Sequence, residues 1–221
     1  MASDRSLCFD MDGVLLEGTG TPSWVYAAGA DVAVDELLPE DNPPDEDRRL
    51  LRTCGFTDEL VACCDRLGID APTFWRLKDQ RASAIEAERI RSGERGLYDD
   101  VDAIRDLVAS RPSALVSNNR AETVSFVADH FDLGFDVVRG REPTRDAYER
   151  RKPRPDFLEA ALEKLDADAG VYVGDRHTDV EAAERAGLEA VFVERPHNRD
   201  VELPTTATVV SSLIELHEHV S

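Results

Sequence analysis

Three short apolar runs each end, on the carboxyl side, at small polar or acidic residues. Leu7-Cys8-Phe9 leads into Asp10, Ala114-Leu115-Val116 into Ser117, and Val171-Tyr172-Val173 into Gly174-Asp175. A short run with no polar alternation suits a strand buried on both faces, and such strands belong to parallel sheets. Ala190-Val191-Phe192-Val193 is a fourth, and Val137-Val138 and Thr208-Val209-Val210 are weaker ones. Helical patterns lie between them. Asp99 to Ala109 places Val101, Ile104, Leu107 and Val108 on one face, and Arg120 to Phe131 does the same with Val124, Val127 and Phe131. Pro155 stands at a first helical position ahead of Phe157, Leu158, Ala161, Leu162 and Leu165. Thr178 and Glu181 have capping-box spacing and open a helix that closes near Gly187. Strands and helices alternating at this length predict an α/β fold, a doubly wound parallel sheet with a Rossmann-like core.

The alternation breaks from about Leu16 to Arg95. This stretch lacks strand-like runs and carries helical periodicity, clearest over Thr57 to Leu67 and Thr73 to Arg91. Ser92-Gly93-Glu94-Arg95-Gly96 reads as the return linker. The expected organisation is therefore an α/β core of residues 1–15 and 96–221 with a smaller helical insert at 16–95.

The chain has 46 acidic and 26 basic residues and a net charge of -20. That balance argues against nucleic acid or an anionic membrane as partner, since both need a basic footprint. Lysine occurs only at Lys78, Lys152 and Lys164. An acidic, lysine-poor surface predicts adaptation to a salt-rich cytoplasm. Cys8, Cys54, Cys63 and Cys64 form no CxxC pair and read as buried, reduced thiols. No run is apolar enough to span a membrane, and the first residues hold no apolar signal core, so a soluble cytoplasmic protein is expected.

Ligands of open α/β sheets bind at the carboxyl ends of the strands. There the sequence delivers Asp10 and Asp12 after the first strand, Ser117 and Asn118 after the second, and Asp175 after the third, with Asp179 four residues on. Two carboxylates spaced as in Asp10-Met11-Asp12-Gly13 can both project from a strand end if the chain turns, and Gly13 permits the turn. Clustered carboxylates repel unless a cation sits among them. Asp10, Asp12, Asp175 and Asp179 make a hard oxygen site suited to Mg²⁺. Lys152, a compact ammonium among the arginines 150, 151 and 154, supplies a positive charge for a phosphate. The Ser117 hydroxyl and backbone N–H groups near Asn118 and Asn119 would hold phosphate oxygens at a helix start. His130, His197, His217 and His219 show no ligand spacing, so zinc is not expected.

These segments resemble the four motifs of haloacid dehalogenase-like hydrolases. Phe9-Asp10-Met11-Asp12-Gly13-Val14-Leu15 is similar to the first, Val116-Ser117-Asn118-Asn119 to the second, Lys152-Pro153-Arg154-Pro155 to the third, and Val173 through Asp179 to the fourth. The insert falls where that family carries a mobile cap, an arrangement that resembles the phosphoglycolate phosphatase-like branch. The resemblance implies a phosphatase acting on a small phosphorylated metabolite. Asp10 would be the nucleophile and Asp12 the general acid and base. Ser117 and Lys152 would hold phosphoryl oxygens. Asp10, the backbone carbonyl of Asp12 and Asp175 would ligate Mg²⁺, with Asp179 nearby or one layer out. Arg176 and His177 depart from the usual small residues of the fourth motif and read as rim residues. Trp24, Tyr26, Phe74, Trp75, Arg76 and Arg81 could contact substrate or pack the cap. Asp12 disfavours dehalogenase chemistry, which needs no acid–base group there. A phosphosugar mutase of the β-phosphoglucomutase type shares the Asp-x-Asp pair and is the enzymatic alternative; a non-catalytic binding protein on the same fold is the other.

Overall fold

The computed structural model describes residues 5–40 and 42–219. Six strands form one parallel sheet: β1 (Ser6–Phe9), β2 (Ser113–Arg120), β3 (Val137–Arg141), β4 (Gly170–Gly174), β5 (Glu189–Val193) and β6 (Thr208–Val210), in the order β3-β2-β1-β4-β5-β6. The order reverses at β1, which pairs with β2 on one side and β4 on the other. A crevice opens at the carboxyl end of such a switch point.

Side chains alternate across each strand, and the apolar runs therefore feed two cores. Leu7, Phe9, Leu115, Val171, Val173, Val191 and Val193 face a cluster with α5 (Arg105–Ser110) and α6 (Ala121–His130). Cys8, Ala114, Val116, Tyr172, Ala190 and Phe192 face another with α7 (Arg145–Glu149), α8 (Asp156–Leu165) and α9 (His177–Arg185). Helices on both faces explain why these strands show no polar alternation.

Several expected boundaries move. The segment after Asp99 divides into a 3₁₀ turn over Val101–Ile104 and α5, because Val101 and Ala103 donate to carbonyls three residues back. Pro155 precedes α8 by one residue. Strand β2 runs on through Arg120, so α6 starts at Ala121. Helix α9 opens at His177 rather than at Thr178, for a reason that lies in the site.

Between β1 and β2 lie α1 (Ser23–Leu37), α2 (Asp45–Thr53), α3 (Asp58–Arg66) and α4 (Ala71–Arg91). They share a separate core that includes Ala30, Val34, Leu51, Leu60 and Phe74. The chain's entry to and exit from these helices run side by side: Glu17 N–H donates to the Gly96 carbonyl (2.9 Å) and Tyr98 N–H to that of Leu15 (2.9 Å). All four cysteines are free; Cys8, Cys63 and Cys64 are buried, whereas Cys54 at the end of α2 is half-buried. No helix among the described residues is long and apolar enough to cross a membrane.

Helices α1 and α4 meet backbone to backbone at Gly29, where a Cβ would lie 2.7 Å from the Lys78 carbonyl oxygen and 2.8 Å from the Ala82 nitrogen. Gly29→Val should push the pair apart and destabilise the protein by about 1–3 kcal/mol, the usual penalty for overpacking. Urea denaturation checks this; an unchanged midpoint would show that α1 can move off α4 without loss.

Candidate active site

Asp10 is the first residue beyond β1, and its N–H still donates to the Val173 carbonyl (2.8 Å). Its side chain thus leaves the sheet at the β1/β4 switch. The chain then turns sharply. The N–H groups of Leu15 and Leu16 both return to the Met11 carbonyl (3.0 and 2.9 Å). Gly13 has φ +79°, and a Cβ there would fall 2.1 Å from Asp175 Oδ2. A side chain is barred twice, by backbone conformation and by the approach of the β4 loop. The turn brings Asp12 back over the pocket, where Oδ1 accepts from Arg95 Nη2 (2.6 Å) and Oδ2 from Asn119 Nδ2 (2.8 Å).

Ser117, Asn118 and Asn119 were expected at a helix start; they lie instead on an irregularity within β2. Pairing with β3 stops at Val116↔Arg139 and resumes at Arg120↔Arg141. A bulge of this kind re-aims side chains, and all three line the pocket. The Ser117 hydroxyl accepts from Asn119 N–H (3.3 Å). The Asn118 amide is committed to Lys152, donating to its carbonyl (3.0 Å) and accepting its N–H (2.8 Å). Asn118 therefore fixes the loop that presents the lysine.

The Lys152 ammonium is buried among Asp10 Oδ1 (3.1 Å), Asp179 Oδ1 (2.7 Å) and the Tyr172 hydroxyl, which in turn donates to the Val116 carbonyl (2.9 Å). Burial pushes this ammonium's pKa down, but Asp10 and Asp179 more than offset it, and the net direction is upward. Asp179 Oδ2 accepts from the N–H groups of Asp175 (3.2 Å) and Arg176 (3.0 Å). The capping carboxylate of α9 is thus Asp179, in place of the Thr178–Glu181 box. Asp175 is held by Asn198, whose amide donates to its carbonyl (2.8 Å), and by His197 Nε2, 2.7 Å from Oδ2.

Asp10, Asp175 and Asp179 each offer an oxygen within 4.8 Å of the others'. Asp175 Oδ1 is buried without a hydrogen bond, and the facing oxygens of Asp10 and Asp179 meet only the Lys152 ammonium. For Asp175 Oδ1 the nearest cation is Arg176 Nε at 3.8 Å. Three buried carboxylates against one ammonium leave negative charge uncompensated, and the donors are all oxygen; this suits a hard divalent cation such as Mg²⁺. Asp179 belongs to this group by position. The Asp12 side chain lies outside it, both oxygens being engaged elsewhere, so only its backbone carbonyl could join. No histidine or cysteine belongs to this cluster.

Sequence reasoning missed Arg95, His197 and Asn198. Arg95 reads as linker, yet it donates to Asp12, to the Glu17 carbonyl (2.6 Å) and to Glu86 Oε1 of α4 (2.8 Å). No local pattern signals a contact made across 83 residues. Arg176 lines the pocket and donates to the Thr19 carbonyl, while His177 pairs with Glu181 (2.8 Å). Of the insert residues singled out, Phe74 packs the helical core, Arg81 pairs with Glu36, and Arg76 lines a separate cleft beside α6. Trp24, Tyr26 and Trp75 line a second cavity next to the first.

Fold and pocket together define an α/β enzyme core with an acidic, lysine-centred site at the switch point. A family model for haloacid dehalogenase-like hydrolases matches residues 5–187, and the chain belongs to that family. It is 26% identical over 210 residues to a phosphoglycolate phosphatase of Pectobacterium atrosepticum, covering 88% of this chain and 82% of that protein. Its fold is similar to that of CbbY from Rhodobacter sphaeroides in complex with phosphate (TM-score 0.62, 22% identity, 97% and 96% of the two chains). A subfamily IA hydrolase of the same superfamily from Geobacter sulfurreducens is comparable (TM-score 0.58, 20% identity, all of both chains). The chain is accordingly a hydrolase of that family.

Burial, then the charges of Asp10 and Asp179, push the Asp175 carboxyl up from 3.8 to about 8. In the metal-free protein, stability from its protonated form is fully present below the ordinary value and is lost as pH rises through about 8. The metal-free thermal midpoint should therefore fall between pH 6 and pH 8.5. Added Mg²⁺, which needs ionised ligands, should restore it most at the higher pH. Asp175→Asn should flatten the pH response and remove the Mg²⁺ response. A Mg²⁺ shift that persists in this variant would place the cation elsewhere.

Proposed function

We propose that the chain is a Mg²⁺-dependent phosphatase that hydrolyses a small phosphate monoester through an aspartyl-phosphate on Asp10. The observation that carries this reading is the buried Lys152 ammonium 3.1 Å from Asp10 Oδ1, in a cavity of about 210 Å³ that also holds Asp12 and Ser117. A carboxylate beside a fixed cation can both attack phosphorus and share that cation with the phosphoryl oxygens. Asp10, Asp175 and the Asp12 carbonyl would hold Mg²⁺, with Asp179 beside them. When bound, the ion would screen the carboxylates and neutralise charge on the phosphoryl group.

In the first half-reaction an Asp10 oxygen forms a bond to phosphorus as the ester P–O bond breaks, and Asp12 gives its proton to the departing alkoxide. In the second, Asp12 takes a proton from water, the water oxygen bonds to phosphorus, and the Asp10–phosphorus bond breaks to release inorganic phosphate. Splitting one hard displacement into two is the advantage of a covalent route. Lys152 and Ser117 hold phosphoryl oxygens throughout. Arg95 and Asn119 both donate to Asp12 and fix its carboxyl group in the pocket. The four free cysteines support a cytoplasmic setting.

Asp12→Asn should lower turnover by about 10²–10⁴-fold in a protein that still folds, with a lower thermal midpoint because Arg95 loses a buried partner. Asp10→Asn should abolish both turnover and an acid-labile phosphoenzyme. Phosphoenzyme formed by Asp10→Asn would rule out that nucleophile. Isomerised sugar phosphate in place of released phosphate would turn the reading to a mutase.

A further inference from the structure

The second cavity, about 510 Å³, is more than twice as large as the phosphoryl pocket and shares Tyr26, Asn118 and Arg151 with it. A group bonded to a phosphoryl held by Lys152 has this space to enter. Its wall contains Arg52, Lys78, Arg141 and Arg151 and not one Asp or Glu, in a chain whose net charge is -20. Arg52 pairs with Asp31 (2.8 Å) and Arg141 with Asp79 (2.8 Å). Lys78 and Arg151 have no carboxylate within 4.0 Å among the described residues. Lys78 is 3% exposed, and its ammonium donates to the carbonyls of Leu51 (2.8 Å) and Cys54 (3.3 Å) at the end of α2. Capping α2 accounts for two of its three donors, the Trp75 ring lies 5.1 Å away and the Asp79 charge acts at longer range, but no carboxylate pairs with this buried ammonium directly, which is costly. Burial holds this ammonium down to about 8, so an arriving anion would supply what the protein omits. Arg151 donates from Nε to the Tyr148 carbonyl (2.7 Å) and lies over the Tyr148 ring at 3.5 Å. That stacking leaves the outer edge of its guanidinium for a ligand between the two cavities.

Four aromatic residues, Trp24, Tyr26, Trp75 and Tyr148, line the same cavity, with small and polar residues between them. Flat apolar surfaces of this kind suit the C–H face of a ring, and a two-carbon acid would fill only a small part of the space. Resting on the phosphatase reading, we infer that the substrate is a phosphomonoester of a sugar-sized alcohol carrying a second anionic group, carboxylate or phosphate, which docks beside Lys78 and Arg151.

Both tryptophans of the chain, Trp24 and Trp75, stand in this wall, so their fluorescence reports its occupant directly. With Asp10→Asn to block turnover, and with Mg²⁺ and salt fixed, the protein is titrated with glucose 1-phosphate, glucuronate 1-phosphate and glucose 1,6-bisphosphate. The three share one ring and differ in the group at its far end. At least one of the two doubly anionic esters should bind about 10- to 100-fold more tightly than glucose 1-phosphate, the range expected for hydrogen bonds to a charged group. The carboxylate and phosphate arms separate the two kinds of anion. Adding Lys78→Met should bring all three dissociation constants together; if that protein does not fold, Arg151→Gln, on a half-buried side chain, carries the same comparison. Equal affinity for the three esters, no fluorescence response to either doubly anionic one, or a preference that survives the folded variant would each overturn the inference. Phosphate release by the wild-type enzyme is followed in parallel. Equal release from all three esters, with no preference in binding, sinks this inference and leaves the phosphatase reading standing. A binding preference with no release from any of them does the reverse.

Discussion

The arrangement depends on one buried ammonium. Lys152 lies between Asp10 and Asp179, and without it three carboxylates would face one another with no internal cation. Much of the surrounding structure serves that contact. Asn118 clamps the lysine's backbone, Tyr172 supports its side chain from the sheet, and Asp179 is fixed by two backbone donors. Removing one partner of a buried pair costs about 3–5 kcal/mol, so these supports are tied to stability as well as chemistry. The ammonium still leaves part of the negative charge uncompensated. That residue of charge keeps the pocket receptive to a divalent cation, and through it to a phosphoryl group.

The sheet supplies the convergence. Reversal of strand order at β1 puts the ends of β1, β2 and β4 side by side, so residues 10, 117 and 175 become neighbours without a long loop. The helices between β1 and β2 are tied into the same site by a continuous polar chain from Asp12 through Arg95 to Glu86 and on to Arg89. Asp12 is therefore linked to the position of α4. A shift of the helical unit relative to the sheet would change the hydrogen bonding of the group proposed to move protons, which is a physical route by which closure and chemistry can be joined.

What was legible in the sequence was whatever a local pattern encodes. Apolar runs ending in Asp10, Ser117 and Asp175 report buried parallel strands whose termini carry chemistry, and the face of α8 follows from spacing alone. What was not legible depends on pairing at long range. Nothing in Ser117-Asn118-Asn119 distinguishes a bulged strand end from a helix start, because the bulge is set by where β3 resumes its register at Arg141. Nothing near Thr178 shows that Asp179 turns back onto two backbone donors, since Thr178 and Glu181 satisfy the same local rule. Arg95 and His197 reach the site only because the insert and the loop after β5 fold over it.

Net charge and local charge answer different questions. A charge of -20 spread over the surface acts through solvent, is screened within about 10 Å at ordinary ionic strength, and disfavours large polyanions that must lie along that surface. A small ester enters a recess where the low-dielectric wall lets nearby groups dominate. There the count runs the other way: four cations and no carboxylate beside a pocket with three buried aspartates and a lysine. The two compartments ask for different ends of one molecule. The first suits a phosphoryl group accompanied by a divalent cation, and the second suits an anion with no metal of its own. A substrate charged at both ends is the simplest object that satisfies both, and a neutral tail would leave Lys78 buried with no anion paired to it directly.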